Sequence, residues 1–277
     1  MSKSVAPRDG VTVVIPAHNE ADNLPQLLDE IRTSLARMES YEVVVVDDGS
    51  SDNTATALDR IQSDFPQLRI VRHASSCGQS TALMTGVDAA AGEIIATLDG
   101  DGQNDPADIP GMVDLLLKLR QTDEVRMIAG MRVKRQDSSW RLISSRIANG
   151  VRGRILRDGT PDSGCGIKVF LKRAFAIMPR FNHMHRFLPA LVVRGGGKVI
   201  SYPVNHRVRT HGKSHYDTLR RLMVGIVDIM GVAWLLRRNK LAIVERLDAV
   251  YDERTDLDSI RFDRSTPVHS PVRRAVA

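Results

Sequence analysis

Short apolar runs alternate along this chain with stretches whose apolar residues recur every three or four positions. Val11-Thr12-Val13-Val14-Ile15 reads as a buried strand stopped by Pro16, and Tyr41 to Val46, Leu68 to Arg72, Glu93 to Leu98, Arg126 to Gly130, Ile167 to Leu171 and Lys198 to Val204 read as further strands. Between the first two, Asn23 to Met38 places Leu24, Leu27, Leu28, Ile31 and Leu35 on one helical face. Helices are also predicted over 53–63, 79–91 and 109–119. Strand and helix alternate through this half, which predicts an α/β fold with a mostly parallel sheet and helices on both faces. Val133 to Leu156 reads as an arginine-rich amphipathic helix carrying Trp140, Leu142, Ile143 and Ile147. A helix follows His185-Arg186-Phe187-Leu188-Pro189, and Leu219 to Leu236 is a last, apolar one with a narrow polar stripe through Arg221 and Asp228.

The polar residues of interest lie where strands end. Thr97-Leu98-Asp99-Gly100-Asp101-Gly102-Gln103 follows the run Glu93 to Ala96, so Asp99, Asp101 and Gln103 leave a strand's C-terminal end together. Open α/β sheets bind ligands at that end. Oxygen donors at i, i+2 and i+4, with Gly100 and Gly102 allowing close turns, suit a hard cation such as Mg²⁺ or Mn²⁺ shared with phosphate oxygens. The competing reading is an acidic surface loop. An EF-hand loop also begins Asp-x-Asp, but Asn104 stands where its sharp-turn glycine belongs and Pro110 where its bidentate glutamate belongs. The second strand ends on Asp47-Asp48-Gly49-Ser50-Ser51-Asp52. Ser51 or Asp52 can cap the next helix, which leaves Asp47-Asp48 to accept hydrogen bonds from a base or ribose. Asp162 opens the turn Asp162-Ser163-Gly164-Cys165-Gly166 and has two readings, a turn cap or a carboxylate facing the reaction centre opposite the cation. No Gly-x-Gly-x-x-Gly follows the first strand and no Walker lysine loop occurs, which disfavours the usual dinucleotide and P-loop sites.

Charge adds a partner class. The net charge of +6 is uneven: from Arg132 to Arg157 eight Lys/Arg stand against the single acid Asp137, and from Arg207 to Arg221 five stand against Asp217. Such clusters take an anionic partner, without separating nucleic acid from anionic lipid. The loop Arg209-Thr210-His211-Gly212-Lys213-Ser214-His215-Tyr216 has a composition suited to closing over phosphate. Cys77 and Cys165 have no metal-ligand spacing and give no disulfide framework, so a reducing cytosol is the expected compartment. The N-terminus carries no apolar signal segment, and secretion is not expected. Leu222 to Leu236, fifteen residues interrupted by Asp228, reaches roughly 22 Å as a helix, short of the ~30 Å hydrocarbon core. Flanked by Arg220, Arg237 and Arg238, it suits an anionic membrane surface, with a core helix or an interface in a homo-oligomer as the other readings. The expected division is a catalytic domain over 1–216, this interface helix over 217–240, and a tail over 241–277 whose last part is disordered.

With these motifs in place, the chain resembles family 2 glycosyltransferases of the GT-A fold, and within them the dolichol- or polyprenyl-phosphate sugar synthases. The resemblance runs from about Val11 to Tyr216, through Ile15 to Glu20, Val46 to Ser50, Asp99 to Gln103, Gly130-Met131-Arg132, Asp162 to Gly166 and Arg209-x-x-Gly212-x-Ser214. It implies a Rossmann-like, mixed but mostly parallel sheet flanked by helices, with a C-terminal amphipathic helix. It also implies that Pro16, His18, Glu20, Val45 and Asp47 line the base and ribose of a UDP- or GDP-sugar. Asp99, Gly100, Asp101 and Gln103 would hold the metal and donor diphosphate, and Arg132, Arg209 and His215 would grip phosphates. The family usually has lysine where this chain has His215, whose unperturbed pKa near ~6.5 leaves only a partial charge at neutral pH. The grip there is weaker, pH-dependent, or shared with Lys213. Arg141, Arg146 and Ser214 are the candidates for the lipid phosphate.

The chemistry agrees with that branch. A phosphate monoester is largely ionised near pH 7 and attacks an anomeric carbon unaided, whereas a sugar hydroxyl needs a general base. The expected reaction is a single inverting displacement by polyprenyl phosphate, on the cytoplasmic face of a membrane, giving a lipid-linked sugar for envelope glycans. One alternative is a family 2 enzyme acting on a saccharide hydroxyl, with Asp162 as base; neither a Glu-Asp pair nor Gln-x-x-Arg-Trp is present. The other is a non-catalytic nucleotide or nucleic-acid binding module, which leaves the Asp-x-Asp-x-Gln strand end without a purpose. Nucleic acid is therefore not an expected partner.

Overall fold

The computed structural model describes residues 10–121, 124–133, 150, 152–207 and 218–238. Seven strands, β1 (Val11–Ala17), β2 (Tyr41–Asp47), β3 (Leu68–Arg72), β4 (Ile94–Thr97), β5 (Val125–Arg132), β6 (Lys168–Leu171) and β7 (Lys198–Val204), form one sheet in the order β3-β2-β1-β4-β6-β5-β7. β6 runs antiparallel to both its neighbours and every other pairing is parallel, so the sheet is mixed and mostly parallel as expected. Between the early strands lie α1 (Leu24–Leu35), α2 (Thr54–Gln62), α3 (Gln79–Ala89) and α4 (Ile109–Leu119). Two short helices follow β6: Leu188–Arg194 is the helix expected at the end of His185-Arg186-Phe187-Leu188-Pro189, and Lys172–Ala176 is one the periodicity does not mark.

The strands are apolar on both sides because both sides are covered. Val13, Ile15, Val43 and Val45 join a core with α1 and α4, whereas Val14, Val44 and Val46 face the side where α3 packs. α1 buries the five residues its spacing singles out, Leu24, Leu27, Leu28, Ile31 and Leu35. Gly86 lets α3 approach the sheet: a Cβ there would lie 2.4 Å from Val14 Cγ1 and 3.2 Å from Val46 Cγ2. Gly86→Ala is accordingly expected to destabilise the fold by about 1–3 kcal/mol, the usual cost of overpacking. A denaturant midpoint equal to wild type would show that α3 can back away freely.

Pro16 does not end β1, contrary to its reading as a stop. The strand pairs with β2 through Ala17↔Asp47, but with β4 only to Val14↔Thr97. Val14 O, which accepts from Leu98 N, faces β4, and Pro16 has the same parity. Its missing N–H therefore points where β4 has already finished, and the ladder loses nothing.

The long helix Thr218–Arg237 has two apolar sides. Ile229, Val232, Ala233 and Leu236 pack on the body, while Ile226, Val227, Met230 and Trp234 are exposed. Asp228, the acid that interrupts its apolar run, pairs with His183 Nδ1 at 2.9 Å. Among the described residues no helix is long and apolar enough to cross a membrane. Most of the amphipathic helix expected over 133–156, the phosphate loop at 209–216 and the tail at 241–277 lie outside the described residues; 152–156 are helical.

Candidate active site

Asp99 emerges two residues after β4, half-buried, with Oδ1 accepting from Gln79 Nε2 at 2.8 Å. Gln79 is the first residue of α3, so the helix start and the strand end are joined at this carboxylate. Asp101 turns back on its own loop, its Oδ1 accepting from Gln103 N at 3.1 Å. Gly102 supplies the left-handed turn, at φ 71°. Gly100 sits where a Cβ would be 3.2 Å from Pro16 O and 3.5 Å from Glu20 Cγ, so the acidic loop lies against the end of β1. Gln103 reaches the other way: its carbonyl accepts from Arg207 N at 2.9 Å and Asn104 bridges to His206. Arg207 itself is fixed by Asp105 at 2.8 Å and Glu30 at 2.5 Å, which anchors the stem of the segment that follows β7.

Burial first, and then the charge of Asp101, push the Asp99 carboxyl up to about 6, against the pull of Lys168, Arg132 and the Gln79 hydrogen bond. The folded value exceeds the unfolded one, so the group's contribution to stability is present at low pH and lost as pH rises through about 6. A divalent cation held by the same oxygens would compete with that proton. The rise in melting temperature produced by Mn²⁺ is thus expected to be largest near pH ~7.5 and to shrink once the pH falls below about 6. A rise that stays constant from pH ~5 to ~8 would put the cation elsewhere.

The loops after β1 and β2 are laced together on the neighbouring side. Asn19, in the left-handed region at φ 58°, donates its N–H to Ser50 Oγ at 2.9 Å, and its Oδ1 accepts from Ser51 N at 2.8 Å. His18 Nδ1 lies 2.8 Å from Asp48 O, and Glu20 Oε2 accepts from Asn23 at 2.6 Å. The two adjacent aspartates have separate tasks. Asp47 Oδ1 accepts from Ser50 N at 3.0 Å. Asp48 accepts from Cys77 N and Gly78 N, both at 2.8 Å, from Ser76 Oγ at 3.0 Å, and faces His73 Nδ1 at 2.7 Å. Burial raises its carboxyl, but those hydrogen bonds outweigh it and leave the group below the ordinary carboxylate range. Asp48 is thus the bracket that holds the β3–α3 connection, and Gly49 passes so close that a Cβ would sit 2.5 Å from Ser75 C.

Across the sheet, the turn before β6 closes over Asp99. A Cβ on Gly166 would lie 2.2 Å from Asp99 Oδ2 and 2.6 Å from Asn104 Oδ1, so only glycine fits. Asp162, at the start of that turn, is bound on both oxygens by Arg132, whose Nε and Nη2 donate at 2.7 Å each, with the Arg132 N–H at 3.2 Å. Lys168, buried in β6, donates Nζ to Cys165 O, and burial lowers its pKa. A cavity of about 400 Å³ opens from Asp99 along this turn toward Arg152, His185 and the long helix at Gly225 and Ile229. Ser80 Oγ lies 2.8 Å from His185 Nδ1; burial, followed by the charge of Arg186, lowers this imidazole to about 3, so it is neutral. Arg152 is buried and paired with the fully buried Asp158 at 2.5 Å.

The expected residues divide accordingly. Pro16, Asp99, Gly100, Asp101, Gln103, Arg132 and Asp162 gather at the strand ends, with His18, Glu20 and Asp47 on the β1–β2 side. Val45 does not join them: its side chain is fully buried in the core with α1 and α4, because its parity in β2 points it inward. Arg132, expected as a phosphate clamp, is engaged by Asp162. Arg141, Arg146, Arg209, Ser214 and His215 lie outside the described residues. Gln79, Arg152, Lys168 and His185 were not singled out for the site. Lys168 had a signal, as the one charge inside Ile167-Lys168-Val169-Phe170-Leu171; Arg152 had none, being one arginine among many.

Residues 12–177 match the model of glycosyl transferase family 2, and the chain belongs to that family. The dodecaprenyl-phosphate galacturonate synthase of Rhizobium johnstonii is 34% identical over 232 residues, 82% of this chain and 67% of that one. The undecaprenyl-phosphate 4-deoxy-4-formamido-L-arabinose transferase of Edwardsiella ictaluri is 34% identical over 214 residues, 76% and 64% of the two chains. This chain spans about two thirds of the length of these curated relatives. The mannosyltransferase PcManGT from Pyrobaculum calidifontis, solved with GDP-Man and Mn²⁺, matches with a TM-score of 0.61 at 22% identity, over 87% of this chain and 67% of that one. That likeness is one of fold, the GT-A fold of nucleotide-sugar transferases.

Proposed function

We propose that the chain transfers a sugar from a nucleotide-diphosphate sugar to a polyprenyl phosphate, with inversion and with Mg²⁺ or Mn²⁺. The observation that carries the reading is the meeting, at Asp99, of an acidic strand end and a cavity whose other charged lining residues are cationic. Among the described residues lining that cavity Asp99 is the only carboxylate, and Asp162, the base a hydroxyl acceptor would require, is tied to Arg132. A phosphate acceptor needs no base. The names of the relatives, both polyprenyl-phosphate sugar transferases, support the same acceptor.

The residues fit a hard divalent cation. Two carboxylates lie close enough for the charge of Asp101 to oppose ionisation of Asp99, and a dication between hard oxygens would relieve that repulsion. Asp99 and Asp101 would hold it, with Gln103 beside them; when bound it supplies charge neutralisation at the donor diphosphate. The chain's own residues do the positioning. The laced β1–β2 loops, with Pro16, His18, Glu20 and Asp47, frame the nucleoside, Gln79 aims the Asp99 carboxylate, and Gly166 lets the β6 turn cover it. His185, neutral and fixed by Ser80, and Arg186 border the space where an acceptor must approach. The long helix frames that space through Gly225 and Ile229 while turning Ile226, Val227, Met230 and Trp234 outward. An exposed apolar stripe ending in Arg237 and Arg238 suits the headgroup region of an anionic leaflet, on the side from which a lipid acceptor arrives. We place the reaction on the cytoplasmic face.

The test is transfer of radiolabelled sugar from a panel of UDP- and GDP-sugars into organic-extractable lipid, with polyprenyl phosphate and Mn²⁺ or Mg²⁺. Label in the lipid phase that EDTA abolishes is the expected result. A donor that is hydrolysed while the lipid stays unlabelled would retain the glycosyltransferase and remove the acceptor.

A further inference from the structure

One group in the cavity has no task in the reaction above. Arg152 is only 6% exposed; its Nη2 is committed to Asp158 Oδ2 at 2.5 Å, with Arg186 O at 3.5 Å, and its guanidinium carbon lies 5.9 Å from the centre of the Phe187 ring. Nη1 of the same guanidinium has no hydrogen-bond partner among the described residues, and the residue lines the cavity. A buried donor left unpaired is costly, and here its partner Asp158 is fully buried as well, so the fold bears that cost to hold one arm out. The charged groups that line the cavity with it are Lys168 and Arg186, both cationic, and Asp99, whose Oδ1 already accepts from Gln79. Three cations against one carboxylate suit a ligand group that is anionic and only accepts.

We propose that this cavity is an oxyanion site centred on Arg152, whose Nη1 takes a carboxylate or phosphate oxygen of a reactant. Which reactants are present rests on the transfer reading above, and two of them carry such a group: a donor whose sugar is a uronate, and the acceptor with its phosphate monoester. The chemistry is shared, a charge-assisted hydrogen bond to a fixed guanidinium in a desolvated pocket. Arg152 therefore selects between a charged and a neutral sugar in the first case, and seats the nucleophile in the second.

Equilibrium titrations of the full chain with Mn²⁺ separate the sources. UDP-glucuronate is compared with UDP-glucose, and GDP-mannuronate with GDP-mannose, in the absence of acceptor; farnesyl phosphate is titrated into protein saturated with nucleoside diphosphate. Each is measured for wild type, Arg152→Gln, and Arg152→Gln combined with Asp158→Asn, the second change sparing the fold a buried unpaired carboxylate, with thermal melts as the check. The expected result is a loss of about 10- to 100-fold for one anionic ligand, the range of a charge-assisted hydrogen bond, and less than about threefold for the neutral-sugar donors. A loss confined to the uronates assigns the oxyanion to the sugar, and a loss confined to farnesyl phosphate assigns it to the acceptor. Unchanged affinity for both anions in the folded double variant overturns the proposal, as does an equal loss for neutral donors, which would make Arg152 a structural prop. None of these titrations reads lipid labelling. A wild-type chain that binds a uronate through Arg152 yet labels no lipid would sink the transfer reading and leave the site standing.

Discussion

Asp101→Ala is expected to lower sugar transfer by about 10²- to 10³-fold while leaving the fold almost untouched, a contrast that few other positions at the site should give. The side chain is half-exposed and, among the described residues, accepts a hydrogen bond from Gln103 N, so its removal costs stability on the order of 1 kcal/mol. What it removes is half of the carboxylate pair proposed to hold the cation. Asp99→Ala would be a less clean experiment, because Asp99 also receives Gln79 at the start of α3. A second reading accompanies the first: without its like-charged neighbour, Asp99 should lose a proton at lower pH, and the rise in melting temperature with Mn²⁺ should weaken at every pH. Transfer within tenfold of wild type, measured at saturating donor and Mn²⁺, would contradict the assignment of Asp101 as a ligand.

Strands and their ends were legible because both faces of the sheet are covered, so buried runs such as Val43 to Val46 stand out against polar loops. The Asp99 to Gln103 motif was legible for the same reason: its donors follow directly on a buried run. Val45 shows the limit. Whether a strand residue meets a ligand or the core depends on parity, and a run apolar on both faces does not reveal parity. Pro16 shows another, since a proline breaks a ladder only if its missing N–H faces a partner, and where β4 stops relative to β1 is a tertiary fact. Pairing was equally out of reach. Arg132 and Asp162 are thirty residues apart, and each read separately as a clamp and as a cap or base. The free arm of Arg152 exists only because Asp158 occupies the other, a circumstance that composition cannot signal.

That pairing leads to the largest stability effect expected at the site. Arg132 and Asp162 are 16% and 8% exposed at their side chains and share two bonds of 2.7 Å, so neutralising either one takes two charge-assisted bonds from the other in a largely dry place. Asp162→Asn and Arg132→Gln should each cost about 3–5 kcal/mol, whereas the double variant should cost much less than their sum, because replacing a buried pair removes the desolvation penalty along with the attraction. Denaturant melts of the four proteins give the coupling directly, and a value of about 2–3 kcal/mol is expected. The same four proteins decide what Asp162 does in transfer. If it positions Arg132, both single variants and the double lose activity to a similar extent, and the pH profile of the residual activity keeps its shape. If it is instead the base for a hydroxyl acceptor, Asp162→Asn alone abolishes transfer, Arg132→Gln retains much of it, and the acid limb of the profile disappears. That second pattern, with coupling near zero, would move the chain from phosphate acceptors to saccharide ones.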